Sequence, residues 1–186
     1  MIFKTPNRFF LTSGHAEGFS TLNAFDSALI DAGVGDLNLI RLSSILPPFC
    51  RRIDYTTFSP GSLVPVAYSE MKSNSKGEVI NASVAIGVPL DNFSAGLIME
   101  YSAKDKSKEY VEAMVKQMVT EGMRVRGREI YEILCISSQH IVENNGAVFA
   151  GVVMFDSANE ITYQYTAFPV PYYTFGGDTI DSNMKL

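Results

Sequence analysis

The 186-residue sequence is poor in the side chains that hold metals and disulfides: it has two cysteines, Cys50 and Cys135, and two histidines, His15 and His140. The cysteines lie far apart with no CxxC spacing, so they read as thiols of a reducing compartment rather than as a disulfide framework. With the histidines equally isolated, no cluster offers the three or four ligands of a zinc site, and no metal is expected. Charged residues are sparse too, at 19%, with 15 Lys and Arg against 20 Asp and Glu. Such a surface has no broad field for nucleic acid or anionic lipid, and the short basic run "RVRGR" at 124–128 reads as a solvated helix end. Long apolar runs are missing as well. The longest, "GAVFAGVVMF" at 146–155, is half of the ~20 residues that a membrane span needs. Pro6, Asn7 and Arg8 interrupt the start of the chain, where a signal peptide would carry its apolar stretch. A cytoplasmic protein is expected, with neither nucleic acid nor membrane as partner.

Hydrophobic residues, in contrast, make up 46% of the chain, enough for a sizeable core in one compact domain. "RFFLT" (8–12) reads as a first strand ended by the turn-forming "SGHAEG". The next segment is an amphipathic helix, with Ser20 or Thr21 as N-cap, Leu22, Phe25 and Leu29 on one face, and Gly33 closing it. "LNLIRLSSIL" has the β-rich character of one half-buried strand, which Pro47 and Pro48 stop because neither can donate to a ladder. Residues 49–62 read as a loop. Strands at 63–73, 78–88 and 95–103 form an antiparallel meander by pattern, the first two joined by a hairpin turn at "NSKG". The clearest helix follows, with Val111, Met114, Val115, Met118 and Val119 at helical spacing and Asp105 or Ser107 as its cap. Two last strands, 129–142 and 147–155, flank "ENNG", whose Asn145-Gly146 pair is a hairpin signal. The sum is an α+β architecture, mostly antiparallel, with helices covering one sheet face and sheet-on-sheet packing burying the other. The segment from Asp156 onward, with "TYQYTAFPVPYYTFGG", is aromatic and nearly uncharged, a composition suited to packing against a neighbour.

The adjacent serines in "NLIRLSSILPP" (38–48) raise a chemical question. A serine hydroxyl held in a strained turn can attack the preceding carbonyl and move the acyl group from nitrogen to oxygen. Elimination of the ester then leaves dehydroalanine, which hydrolyses to a pyruvoyl group. Ser44 would be the nucleophile and Ser43 would supply the carbonyl. A turn after a strand stores strain, and a side-chain amide, for which Asn38 is a candidate, can stabilise the oxyanion. As a bare dipeptide, Ser-Ser is too common to decide this.

Taken together, "TLNAFDSALIDAGVGDLNLIRLSSILPP" and "GLIMEY" resemble the pyruvoyl-dependent arginine decarboxylases over about residues 8–155, with the serine turn, Asn38 and Glu100 matching in order and spacing. The resemblance implies an αββα sandwich, a single catalytic domain over 1–155, and self-cleavage into chains 1–43 and 44–186, with 156–186 as an extension beyond the usual end. It implies a homotrimer of cleaved protomers, or a multiple of one, with active sites between subunits. The activity implied is decarboxylation of L-arginine to agmatine and CO2, in the direction of polyamine synthesis, on a covalent pyruvoyl group and without pyridoxal phosphate. That group's carbonyl forms an imine with the substrate amine, and the adjacent amide carbonyl withdraws the electrons released with CO2. The resemblance gives Glu100 the role of proton donor, acting after the cofactor exists, and Asp26 the role of guanidinium partner. Leu22, Gly35, Leu37 and Ile45 fall on positions lining the substrate pocket. By pattern alone, Glu100 reads either as a solvent-facing strand acid or, after the apolar "GLIM", as an acid set to deliver a proton. Asp26 reads either as an exposed helix acid or as a planar carboxylate suited to bidentate contact. Two other functions stay open at this level: a decarboxylase of another amino acid such as histidine or lysine, and an uncleaved scaffold or regulatory homologue.

Overall fold

A computed structural model describes residues 4–157. Its elements are β1 (Arg8–Glu17), α1 (Thr21–Asp31), β2 (Asn38–Arg41), β3 (Ile45–Leu46), β4 (Arg51–Arg52), β5 (Leu63–Ser73), β6 (Val79–Pro89), β7 (Gly96–Lys104), α2 (Lys108–Val125), β8 (Ile130–Ile141) and β9 (Gly146–Phe155). They form a five-stranded sheet in the order β2-β5-β9-β1-β4 and a four-stranded sheet in the order β3-β7-β6-β8. All pairs are antiparallel except β1·β4 and β2·β5, both at sheet edges. The sheets stack on each other, α1 covers the outside of the five-stranded sheet and α2 the outside of the four-stranded one. This is the αββα sandwich of the expected α+β class. The aromatic segment expected to follow Asp156 lies, from residue 158 on, outside the described residues.

The layers follow from strand alternation. Along β7, Leu97, Met99 and Tyr101 pack toward α2, whereas Ile98 faces the other sheet, and the period of two puts Glu100 on the same side as Ile98. The central strand β6 is covered on both faces: Ala82, Val84 and Ile86 meet the five-stranded sheet and Ala85 meets α2. Ile98 is fully buried. Truncating it to Ala would cost about 2–5 kcal/mol and loosen the strand that carries Glu100.

Both helices start as their sequences indicate. Ser20 caps α1 by accepting from the Asn23 N–H at 3.2 Å, and Ser107, rather than Asp105, caps α2 through the Tyr110 N–H at 3.2 Å. Gly33, at φ 75°, follows α1 in a Schellman arrangement, with its N–H donating to Ile30 O and that of Val34 to Leu29 O. The face of α1 is rotated from the expected one. Ala24, Ala28 and Ala32 are buried and Leu22 is 71% exposed, while Phe25 and Leu29 are half-buried. An alanine seam lets the helix sit close to β1, where a Cβ on Gly14 would fall 2.2 Å from Ala28 O. The "SGHAE" segment therefore continues β1 instead of ending it, and the strand pairs with β9 along all ten residues.

Three connections differ from the expected hairpins and strand. "NSKG" and "ENNG" both reverse the chain, but each hands it from one sheet to the other. β5 pairs with β2 and β9, whereas β6 pairs with β7 and β8. At the second turn neither Asn145 nor Gly146 has the positive φ of a type I′ hairpin. The turn is held instead by the Glu17 carboxylate, which accepts from the N–H groups of Glu143, Asn144 and Asn145 and meets His140 Nε2 at 2.7 Å. Burial pushes this carboxyl up, but the Glu143 N–H, His140 and the other two N–H groups outweigh it and hold its pKa at about 2. The third difference is the expected strand through 37–46. It is two strands in two sheets, and the double serine lies between them. The expected loop 49–62 also contributes the two-residue edge strand β4.

Candidate active site

The crossing from β2 to β3 is pinned at both ends. The Leu42 N–H donates to Val66 O at 3.1 Å in the five-stranded sheet, and the Ser44 carbonyl accepts from the Ile98 N–H at 2.9 Å in the four-stranded sheet. Ile45 and Leu46 then pair with Leu97 and Gly96. Between these anchors Ser44 sits at φ 72°, in the left-handed region that costs a residue with a Cβ on the order of 1–3 kcal/mol. The strain is concentrated at the residue following the Ser43–Ser44 peptide bond.

Ser44 Oγ donates to Glu100 Oε1 in a short contact. The other carboxylate oxygen, Oε2, accepts from Arg41 Nη2 at 3.3 Å. The same Arg41 nitrogen donates to Tyr68 O at 3.2 Å, and the guanidinium lies 4.6 Å from the Tyr68 ring centroid. Glu100 keeps 20% of its side-chain surface exposed and Arg41 55%. An apolar cavity of about 300 Å3 opens beside the turn, lined among others by Ile40, Leu42, Ser43, Ser44, Ile45 and Pro65. A hydroxyl, a carboxylate that can take its proton, and an adjacent carbonyl held under strain make this a place for acyl transfer. The sequence pattern did not single out Arg41. Its position two residues before the double serine was the available signal.

The remaining expected site residues form a second group. Leu22 and Asp26 are exposed on α1, Gly35 and Leu37 lie in the connection after it, and Asn38 begins β2. Among the described residues Asp26 has no hydrogen bond or ion pair. Asn38 Nδ2 donates to Gly61 O at 2.8 Å, and three residue steps of β2, roughly 10 Å, separate it from Arg41. Within one chain Asn38 is thus turned to another partner and away from the Ser43–Ser44 bond. α1 packs on the outer face of the five-stranded sheet and Glu100 faces its inner side, so that sheet stands between Asp26 and Glu100. Ile45, exposed on β3, belongs with the serine group.

The thiols have little reactivity to offer. Cys50 is pushed up to about 12 by burial, against the pull of Arg8, and burial also raises Cys135. Among the described residues no three or more His, Cys, Asp or Glu side chains are grouped to hold a metal ion. No helix among them is long and apolar enough to cross a membrane.

The family model for pyruvoyl-dependent arginine decarboxylase matches residues 8–159. A pyruvoyl-dependent arginine decarboxylase of Methanococcus maripaludis is 44% identical over 153 residues, covering 82% of this chain and 93% of the relative. Proteins of the same name from Methanocaldococcus jannaschii and Pyrococcus furiosus are 42% and 40% identical, covering 82% and 83% of this chain and 92% and 99% of theirs. The chain belongs to the pyruvoyl-dependent arginine decarboxylase family, and it is an enzyme of the pyruvoyl-dependent class.

Proposed function

We propose that this family member decarboxylates L-arginine to agmatine and CO2, using a pyruvoyl group made from its own Ser44. The observation that carries the reading is the Ser44 hydroxyl resting on the Glu100 carboxylate while Ser44 is held at φ 72°. The turn fits the group, since the residue to be converted is a serine, is strained, has a proton acceptor in contact and adjoins an apolar cavity.

In the forming step Glu100 Oε1 takes the proton of Ser44 Oγ as that oxygen bonds to the Ser43 carbonyl carbon. The bond from that carbon to Ser44 N breaks and the nitrogen takes up the proton, leaving an ester and a free amine. Loss of the Ser44 Hα breaks the Cβ–Oγ bond, so Oγ departs in the new carboxylate of Ser43. Water then replaces the nitrogen of residue 44, which leaves as ammonia. Chains 1–43 and 44–186 result. The pyruvoyl group supplies an electrophilic carbonyl for the substrate amine and, in its adjacent amide carbonyl, an acceptor for the electrons released with CO2.

With Oγ gone, Glu100 Oε1 has lost its partner and faces the reacting position, where it delivers a proton to the substrate α-carbon. The resemblance gives Glu100 a role in turnover alone; its contact with Ser44 supports a part in self-cleavage as well. Asp26 reads the guanidinium through its two oxygens, with Leu22, Gly35, Leu37 and Ile45 forming the pocket and Asn38 the oxyanion donor. Because a sheet separates Asp26 from Glu100 within one chain, the reading has a neighbouring copy bring the two groups together, in a homotrimer or a multiple of it. The exposure of Leu22 and Ile45 supports this. The unpaired thiols favour a cytoplasmic enzyme, and agmatine fits polyamine synthesis. The test is release of CO2 and agmatine from labelled L-arginine, with lysine and histidine as competitors. Turnover of either in place of arginine would assign Asp26 another cation.

A further inference from the structure

We propose that Arg41 is a positioning residue for self-cleavage: by occupying Glu100 Oε2 it leaves Oε1 as the oxygen that meets the Ser44 hydroxyl. The inference rests on the reading of Ser44 as the cofactor precursor. Its ground is the set of contacts made by one guanidinium. Arg41 Nη2 donates to Glu100 Oε2 at 3.3 Å and to Tyr68 O at 3.2 Å, and its Cζ lies over the Tyr68 ring, 4.6 Å from the centroid.

An ion pair this exposed contributes little to stability, and ordering a long side chain opposes even that. The gain is directional. A carboxylate held through one oxygen alone can swing about its Cγ–Cδ bond; fixing Oε2 removes that freedom, and a displacement of about 1 Å at a reacting atom can cost on the order of a hundredfold in rate. Tyr68 fixes the guanidinium in turn, through its carbonyl and its ring, and the Tyr68 ring packs against Phe149 at 5.4 Å. The support thus runs from a fully buried core residue to the reacting serine.

Arg41 also lies on the other side of the bond to be cut. It belongs to the future 1–43 chain, two residues before its new end, whereas Glu100 belongs to 44–186. The same ion pair therefore joins the two products across the cut.

The experiment follows the rate of self-cleavage of the full chain by denaturing mass spectrometry, in wild type, Arg41→Ala and Arg41→Lys, with and without added methylguanidinium. No substrate is present, so competition for an arginine pocket does not enter. Arg41→Ala is expected to cleave roughly ten to a hundred times more slowly, a part of the 10²–10⁴ that a placed acid or base supplies. Arg41→Lys should fall between, and methylguanidinium should restore Arg41→Ala but not Glu100→Gln. Cleavage of Arg41→Ala at the wild-type rate overturns the proposal. So does slow cleavage that neither lysine nor methylguanidinium improves, because loss of packing alone would behave that way. Wild type that never cleaves would instead refute the reading of Ser44, and the two failures are distinguishable in the same series.

Discussion

The serine crossing and the α1 shelf differ in how much of their chemistry one chain completes. At the crossing, Glu100 contacts both Ser44 and Arg41, and both ends of the turn are hydrogen-bonded into opposite sheets. At the shelf, Asp26 has no partner among the described residues, Leu22 stands in solvent, and Asn38 gives its amide to Gly61. The first region is equipped for a reaction of the chain upon itself. The second holds a charge and apolar surface without a partner among the described residues, and on the proposed reading it meets a substrate and a neighbouring copy. On the proposed reading self-cleavage precedes recognition of arginine, because the pyruvoyl group must exist before substrate can react.

The contrast is broken most completely at Ser44. Ser44→Ala removes the attacking oxygen, so both cleavage and decarboxylation should be lost, seen as one uncut chain and no CO2. Glu100→Gln should be nearly as severe because the carboxylate serves both reactions. Turnover should fall on the order of 10²–10⁴, and cleavage should slow in the same protein; cleavage at full rate would return Glu100 to turnover alone. Asp26→Asn should spare cleavage and lower kcat/KM for arginine roughly tenfold to a hundredfold, the worth of about one charge-assisted hydrogen bond. The neutral analogue citrulline should narrow that gap, and unchanged arginine turnover would remove Asp26 from the pocket.

The smallest effect lies away from both regions. Glu17 is held at about 2, below its usual 4.5, so its clamp on the 143–145 turn is fully present above pH ~4.5 and is lost as pH falls toward ~2. Glu17→Gln should lower stability at neutral pH by about 2 kcal/mol, and the difference from wild type should shrink across that acid window. Melting curves at several pH values would show it.

The same contrast explains what could be read from the sequence. Ser20, Gly33 and Ser107 announce helix ends through local hydrogen bonding, and strand β5 shows its limits by its β-rich run between turn residues. Ser44 follows from the chemistry of adjacent serines and Glu100 from the resemblance, and the structure puts the two in contact. The sheet to which each strand belongs was not legible. "NSKG" and "ENNG" encode a reversal, and a reversal serves a hairpin or a crossing equally well. The choice lies in distant partners, such as Glu17 across from residues 143–145. For the same reason "LNLIRLSSIL" read as one strand: alternation gave no sign that the chain leaves one sheet at Leu42 and enters the other at Ile45. Arg41 escaped notice because an arginine in an edge strand has no periodic signature, and only its contacts give it a role.

The central claim is that this chain cuts itself between Ser43 and Ser44 and converts Ser44, and an intact mass under denaturing conditions tests it most directly. The account predicts two species, residues 1–43 ending in an ordinary carboxylate and residues 44–186 lacking a free amino terminus, the larger reacting with a carbonyl reagent. A single full-length chain with unmodified Ser44 after prolonged incubation would contradict it.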